Sequence, residues 1–230
     1  MQGRALQTNM PAKNRTKEYL ANSYYHLYNR GVEKRPIFLD EQDYNVFNSY
    51  LETYLLPKDL NHLNDLLGNG NPKEKDTARK LLRLNNFSDE INLLAYCLMP
   101  NHFHFLIYQT TANAIDKFSN SLFTRYCMYF NRKYKRIGPL FQDLYKAVSV
   151  TSGEQLLWLS RYIHRNPLDL LQGRALQTYM HSSYPEYLRV RNKSWIKPEE
   201  ILAYFKSEYK IFVEGNSPEP ENIYPLLLSD

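Results

Sequence analysis

The feature that most restricts what this chain can fold into is a pair of apolar stretches, Ile91 to Leu98 and His102 to Tyr108, separated only by Met99-Pro100-Asn101. Both are too short for buried helices, and Pro-Asn marks a turn, so they predict two strands paired with each other. The second reads His102-Phe103-His104-Phe105. Side chains alternate along a strand, so both imidazoles point to one face while Phe103 points to the other.

The remaining elements follow from spacing. Tyr24 to Asn29 predicts a first strand, stopped by Arg30-Gly31. Tyr44, Phe47, Tyr50, Leu51, Tyr54 and Leu55 recur at helix spacing between Glu41 and Leu56, and Pro57 closes that helix. Residues 57 to 75, rich in Asn, Gly, Pro and Lys, read as an exposed connector before a short helix over Asp76 to Leu84. Ala114 to Asn131 predicts a long helix, Gly138-Pro139 a break, and Tyr145 to Val150 another strand. Ser152, with Gln155 at the capping-box spacing, starts a helix that runs to His164 and stops at Asn166-Pro167. The order strand, helix, strand, strand, helix, strand, helix predicts an α+β fold with helices packed on one face of the sheet. We divide the chain into an N-terminal tail (1–21), a main domain (22–188) and a C-terminal extension (189–230) in which Trp195 to Tyr209 reads as helical.

Charge adds a direction. The net charge of +5 and a pI near 9.0 favour a polyanionic partner. Arg132, Lys133, Lys135 and Arg136 form one basic run, and Lys13, Arg15 and Lys17 another. Most of the 20 tyrosines are expected at core edges, with a few free to stack on unpaired bases. Cys97 and Cys127 have no close spacing that would suggest a metal clip or redox pair, so reduced thiols in the cytoplasm are expected. No leader-like segment or membrane-length apolar run is evident, so no membrane partner is expected.

Two segments carry chemistry. Two imidazoles on one strand face can converge on a metal ion, which would also take an oxygen ligand from elsewhere; the competing reading is a pair of half-exposed strand histidines. In Arg161-Tyr162-Ile163-His164-Arg165-Asn166-Pro167, Tyr162 and Asn166 are four residues apart and share a helix face. If that face meets the histidine strand, the amide completes the metal site and the phenol lies beside any phosphate held there. Otherwise Tyr162 is a packed aromatic and Asn166 a helix stop before proline. A phenol, with a pKa of about 10, is a poor nucleophile unaided, and a divalent cation would activate the phosphate it attacks.

Taken together, these segments resemble the HUH-superfamily single-tyrosine transposases of the IS200-like group, in particular the REP-associated tyrosine transposases. Tyr25-His26-Leu27-Tyr28-Asn29-Arg30-Gly31 is similar to the family's first strand, and Ile37-Phe38 follows. Ala95 to His104 is similar to its metal-binding strand pair, and Asn131-Arg132 with Gly138-Pro139-Leu140-Phe141-Gln142 to its middle section. Tyr162 to Pro167 is similar to the nucleophile helix. The resemblance implies a ferredoxin-like antiparallel sheet, and Mg²⁺ or Mn²⁺ on His102, His104 and Asn166. It also implies catalysis by Tyr162 with His102 and His104, acting on single-stranded or hairpin DNA as monomer or homodimer. Endonuclease and strand-transfer activity through a phosphotyrosine intermediate is the expected function; a non-catalytic protein that recognises palindromic repeats is the alternative. Arg132, Lys133, Lys135, Arg136, Arg161 and Arg165 are the expected DNA contacts, and His26 is expected to be a strand histidine rather than a ligand. The chain departs from the family at Asp143-Leu144, where Gly-Arg is usual before an aromatic and Lys146.

The heptapeptide Gln-Gly-Arg-Ala-Leu-Gln-Thr occurs at 2–8 and again at 172–178, where a loop is expected to tolerate an insertion. Its first five residues can be encoded by an inverted repeat (CAGGGC, a three-base loop, GCCCTG). This raises the hypothesis that the peptide is a translated palindrome, which codons breaking the pairing in both copies would refute; a duplicated peptide unrelated to substrate is the alternative.

Overall fold

The computed structural model describes residues 19–205 and 208–227. Most of the tail, with Lys13, Arg15, Lys17 and the first heptapeptide copy, lies outside the described residues.

Four strands form one antiparallel sheet: β1 (Ser23–Arg30), β2 (Ile91–Met99), β3 (His102–Gln109) and β4 (Lys146–Val150), in the order β2-β3-β1-β4. With α1 (Glu41–Leu55) between β1 and β2 and α4 (Ala114–Lys133) between β3 and β4, the path is the βαββαβ ferredoxin-like one. Between α1 and β2 the chain forms two further helices, α2 (Leu60–Asn69) and α3 (Pro72–Arg83), that pack on each other. The stretch expected as a connector is therefore largely helical. Asp59 caps α2 by accepting from the His62 amide, and Asn71 and Glu74 close a capping box around Pro72 at the start of α3. These local signals outweigh the weak helix propensity of Asn and Gly.

Alternation divides the sheet. Tyr25, Leu27, Leu98, Phe103, Phe105 and Ile107 pack against α1 and α4 in one core. Ala95, Cys97, Met99 and Leu106 belong to a second core, covered by α5 (Gly153–Arg165). The expected helices on one face are thus α1 and α4, and the structure adds a second helical layer across the sheet. That layer also contains the short helices α6 (Leu168–Leu171), α7 (Tyr184–Tyr187), α8 (Glu199–Leu202) and α9 (Tyr209–Glu214), and a 3-10 turn at Glu221–Leu226. Trp195 to Tyr209 is not one helix: Ile196 bridges to Leu93 of β2 before α8 begins. The second heptapeptide copy follows α6 as a largely exposed turn, with left-handed backbone at Gln172 and Gly173 (φ 49° and 87°), and ends in a 3-10 turn at Leu176–Thr178 whose Leu176 is buried.

The end of the sheet that carries His102 is fixed from several sides. The Gly31 amide donates to Asn101 O at 2.8 Å, and the Ile37 amide to Pro100 O at 2.7 Å. A Cβ on Gly31 would lie 2.1 Å from Arg35 O, so only glycine lets the chain turn there.

Candidate active site

The β1–β3 register pairs Tyr28 with His104 and Arg30 with His102, so His26, Tyr28, His102 and His104 share the face that α5 covers. Helix α5 begins at Ser152, whose hydroxyl accepts from the Gln155 amide at 3.1 Å. The Gln155 side chain reaches back to Thr151. Near its other end, α5 presents Tyr162 and Asn166 to the histidine strand. The Tyr162 ring stands edge-on to His104, with centroids 5.3 Å apart, and 6.2 Å from His26. Asn166 Oδ1 lies 3.0 Å from His102 Nε2. The structure therefore brings together Tyr162, His102, His104 and Asn166, from segments far apart in sequence.

Hydrogen bonding fixes the tautomers. His26 Nδ1 is in hydrogen-bonding contact with the carbonyl oxygen of Leu226. A carbonyl only accepts, so Nδ1 carries the proton and Nε2 is a lone pair. That lone pair faces His104 Nδ1 at 2.9 Å, so His104 is protonated there. His104 Nε2 is left as a lone pair, buried and without a hydrogen-bond partner among the described residues. Both rings are neutral: burial pushes His26 down to about 4. Burial, together with His26, His102 and Arg30 nearby, holds His104 well below the ordinary imidazole range. In His102, Nδ1 lies 2.7 Å from Asn101 Oδ1. Nε2 lies 3.0 Å from Asn166 Oδ1, so two amide oxygens compete for the one proton of a neutral ring.

This donor set fits a divalent cation. It offers an unpartnered buried imidazole nitrogen, a second imidazole and an amide oxygen, the mixed N and O set that suits Mn²⁺-type ions. Among the described residues, no group of three or more His, Cys, Asp or Glu is placed to hold a metal, so a cysteine- or histidine-rich structural zinc site is not built here.

The basic residues divide differently from expectation. Arg161 is buried and donates to the carbonyl oxygens of Phe212 (2.8 Å) and Gly215 (2.6 Å). Arg165 donates to Val213 O at 2.7 Å. Both hold the C-terminal extension against α5, so the structure gives these two expected DNA contacts a packing role. Lys133 is committed to Asp40 and the buried Asp43, at 2.7 and 2.8 Å. Arg136 is half-buried, 3.3 Å from Asn131 Oδ1. Arg132 and Lys135 face solvent at the end of α4. Lys146, which pairs across from Tyr28 in the sheet, adds an exposed cation on the histidine face.

Sequence reading missed the part His26 plays. It sets the proton on His104 rather than adding a ligand, and the only signal was its strand parity, which has meaning only once the register is known. Tyr28 also lines the site, its phenol pKa raised by burial and opposed by Arg30.

Residues 71–166 match the family model described as Transposase IS200 like. The matched segment includes His102, His104, Tyr162 and Asn166 and leaves out β1 and the C-terminal extension. Among solved structures, the chain is similar to a REP-associated tyrosine transposase bound to a REP hairpin, at 9% identity and a TM-score of 0.42, covering 80% of this chain and 96% of that one. It is also similar to a transposase candidate from Deinococcus radiodurans R1, at 16% identity and a TM-score of 0.35, covering 66% and 96%. No curated protein matches the chain. Among the described residues, no helix is long and apolar enough to cross a membrane.

Proposed function

We propose that the protein nicks and rejoins single-stranded or hairpin DNA through a covalent link to Tyr162, with a divalent cation held by His102, His104 and Asn166. The supporting observation is the proton arrangement of the histidine pair. His26 and Leu226 leave His104 with a bare, buried Nε2 beside the Tyr162 ring, the ligand form a metal requires. A bound Mg²⁺ or Mn²⁺ would neutralise phosphate charge and polarise the phosphoryl oxygen.

The protein's own groups account for the rest. Helix α5 holds the phenol and the amide one turn apart, so a phosphate placed at the histidine pair lies next to the Tyr162 oxygen. That oxygen forms a bond to phosphorus, the bond from phosphorus to one sugar oxygen breaks, and the released sugar oxygen takes up a proton in place of the one lost by the phenol, leaving as a hydroxyl. The phosphodiester count is unchanged, so attack by a second strand end restores a phosphodiester without ATP. His26 keeps His104 in the required tautomer throughout.

The test is incubation of full-length protein with labelled hairpin DNA from the flanks of its own gene and Mn²⁺. Wild type should form a covalent protein–DNA band that disappears with chelator and in Tyr162→Phe. If hairpin is bound but no adduct or nick forms, the protein is a binder of palindromic DNA. Cleavage by both proteins would mean that another nucleophile acts.

A further inference from the structure

A second cluster of cations lies across the sheet from Tyr162, on the α1–α4 side. Lys80 and Arg83 at the end of α3 and Arg125 on α4 line a cavity of about 620 Å³, with Asn85, Ser121 and Thr124 supplying amide and hydroxyl groups and no carboxylate in the wall. The Arg125 guanidinium lies 3.8 Å from the centroid of the Tyr50 ring, a contact that fixes its plane. Its Nη1 is buried and has no hydrogen-bond partner among the described residues. Lys80 is shared with Asp76, at 2.5 Å on the exposed side of α3. Asn85 Nδ2 donates to Ser121 Oγ at 3.0 Å, tying the loop after α3 to α4.

A guanidinium held in place against Tyr50 and Tyr54, flanked by further cations and neutral donors along an open groove without carboxylates, is suited to an oxyanion. The Tyr50 ring face is already covered by Arg125, so it is not free for a nucleobase to stack on. The ligand recognised is therefore backbone rather than base. We propose that this groove between α3 and α4 binds backbone phosphates of the DNA substrate, gripping the paired stem of a hairpin while its single-stranded part reaches Tyr162 on the other side of the sheet. The inference rests on the reading of the protein as an enzyme acting on DNA, and it assigns Arg125, Arg83 and Lys80 to binding that is independent of base sequence.

The experiment measures binding of labelled hairpin DNA to full-length protein by fluorescence anisotropy over a salt series. It compares wild type, Arg83→Gln/Arg125→Gln, and a control pair, Lys73→Gln/Lys117→Gln, which removes equal charge outside the groove. The groove variant should bind roughly tenfold more weakly, with a log K against log salt slope shallower by about two, close to one for each phosphate no longer neutralised. If Arg125→Gln does not fold, Arg83→Gln alone should reduce the slope by about one. Equal losses in the groove and control pairs would reduce the effect to general charge and overturn the proposal. So would protection by inorganic phosphate against thermal unfolding that depends on Arg125 while DNA binding stays unchanged; the groove would then hold a small free anion. Wild type that binds DNA alongside an unaltered groove variant overturns the groove alone. Wild type that binds no DNA overturns both the groove and the functional reading beneath it.

Discussion

The two faces of the central sheet use the same alternating strands for opposite purposes. Toward α1 and α4, Phe103 meets Phe105, Phe123, Phe47 and Phe141 with ring centroids 4.7 to 6.0 Å apart. Its neighbours on the other face of the same strand, His102 and His104, meet Asn166, His26 and Tyr162. One face gains stability from close apolar packing, and the other holds a buried polar atom unsatisfied. Such an atom is tolerable because the opposite face and the flanking cores hold the strand in register. The comparison teaches that stability and chemistry are separated here by a single step along β3.

Single substitutions can break that separation. Phe103→Ala should cost about 3–5 kcal/mol of stability in denaturant titration, as large-to-small core changes do, and leave adduct formation intact in the folded fraction. His104→Gln should do the reverse. Its melting temperature should stay near wild type, while adduct formation falls by at least about a hundredfold, since even groups supporting a metal ligand are worth roughly 10–100-fold. If Phe103→Ala abolishes the adduct in folded protein, or His104→Gln unfolds it, the faces are not independent. His26→Phe gives a finer test: with the proton relay removed, Mn²⁺ affinity measured by calorimetry should drop about 10–100-fold. An unchanged affinity would show that His104 keeps its tautomer without help.

The smallest expected effect concerns pH. Burial holds His26 near about 4 and His164 near about 3, below the ordinary 6.5, and His104 lower than the ordinary value too. The unfolded chain therefore binds protons that the folded chain refuses, so the stability from keeping these rings neutral is present above pH 6.5 and lost as pH falls toward those depressed values. Denaturant midpoints measured from pH 7 down to about 4 should fall steadily, and the fall should be shallower in His164→Gln. A flat profile would mean the rings are charged in the folded state.

Much of the site was legible because it depends on short spacings. The alternation through His102 and His104 and the four-residue step from Tyr162 to Asn166 each select a face without knowledge of the rest of the fold. What was not legible depends on distant partners. Arg161 and Arg165 looked like outward cations because the sequence does not show that the carbonyls of 212–215 dock on them. Lys133 looked free because Asp40 and Asp43 lie some 90 positions away in the chain. Helix α2 was hidden by Asn and Gly, whose weak propensity is offset by the Asp59 cap and by packing against α3.

The contact between Leu226 and His26 spans 200 positions, and this bears on when the protein becomes competent during synthesis. As the chain leaves the ribosome, the sheet, α5 and the side chains of the candidate site emerge before the carbonyl that orients the histidine pair. Over that interval the chain carries Tyr162, His102 and His104 without the acceptor that sets the proton on His26, and so without the relay that bares His104 Nε2.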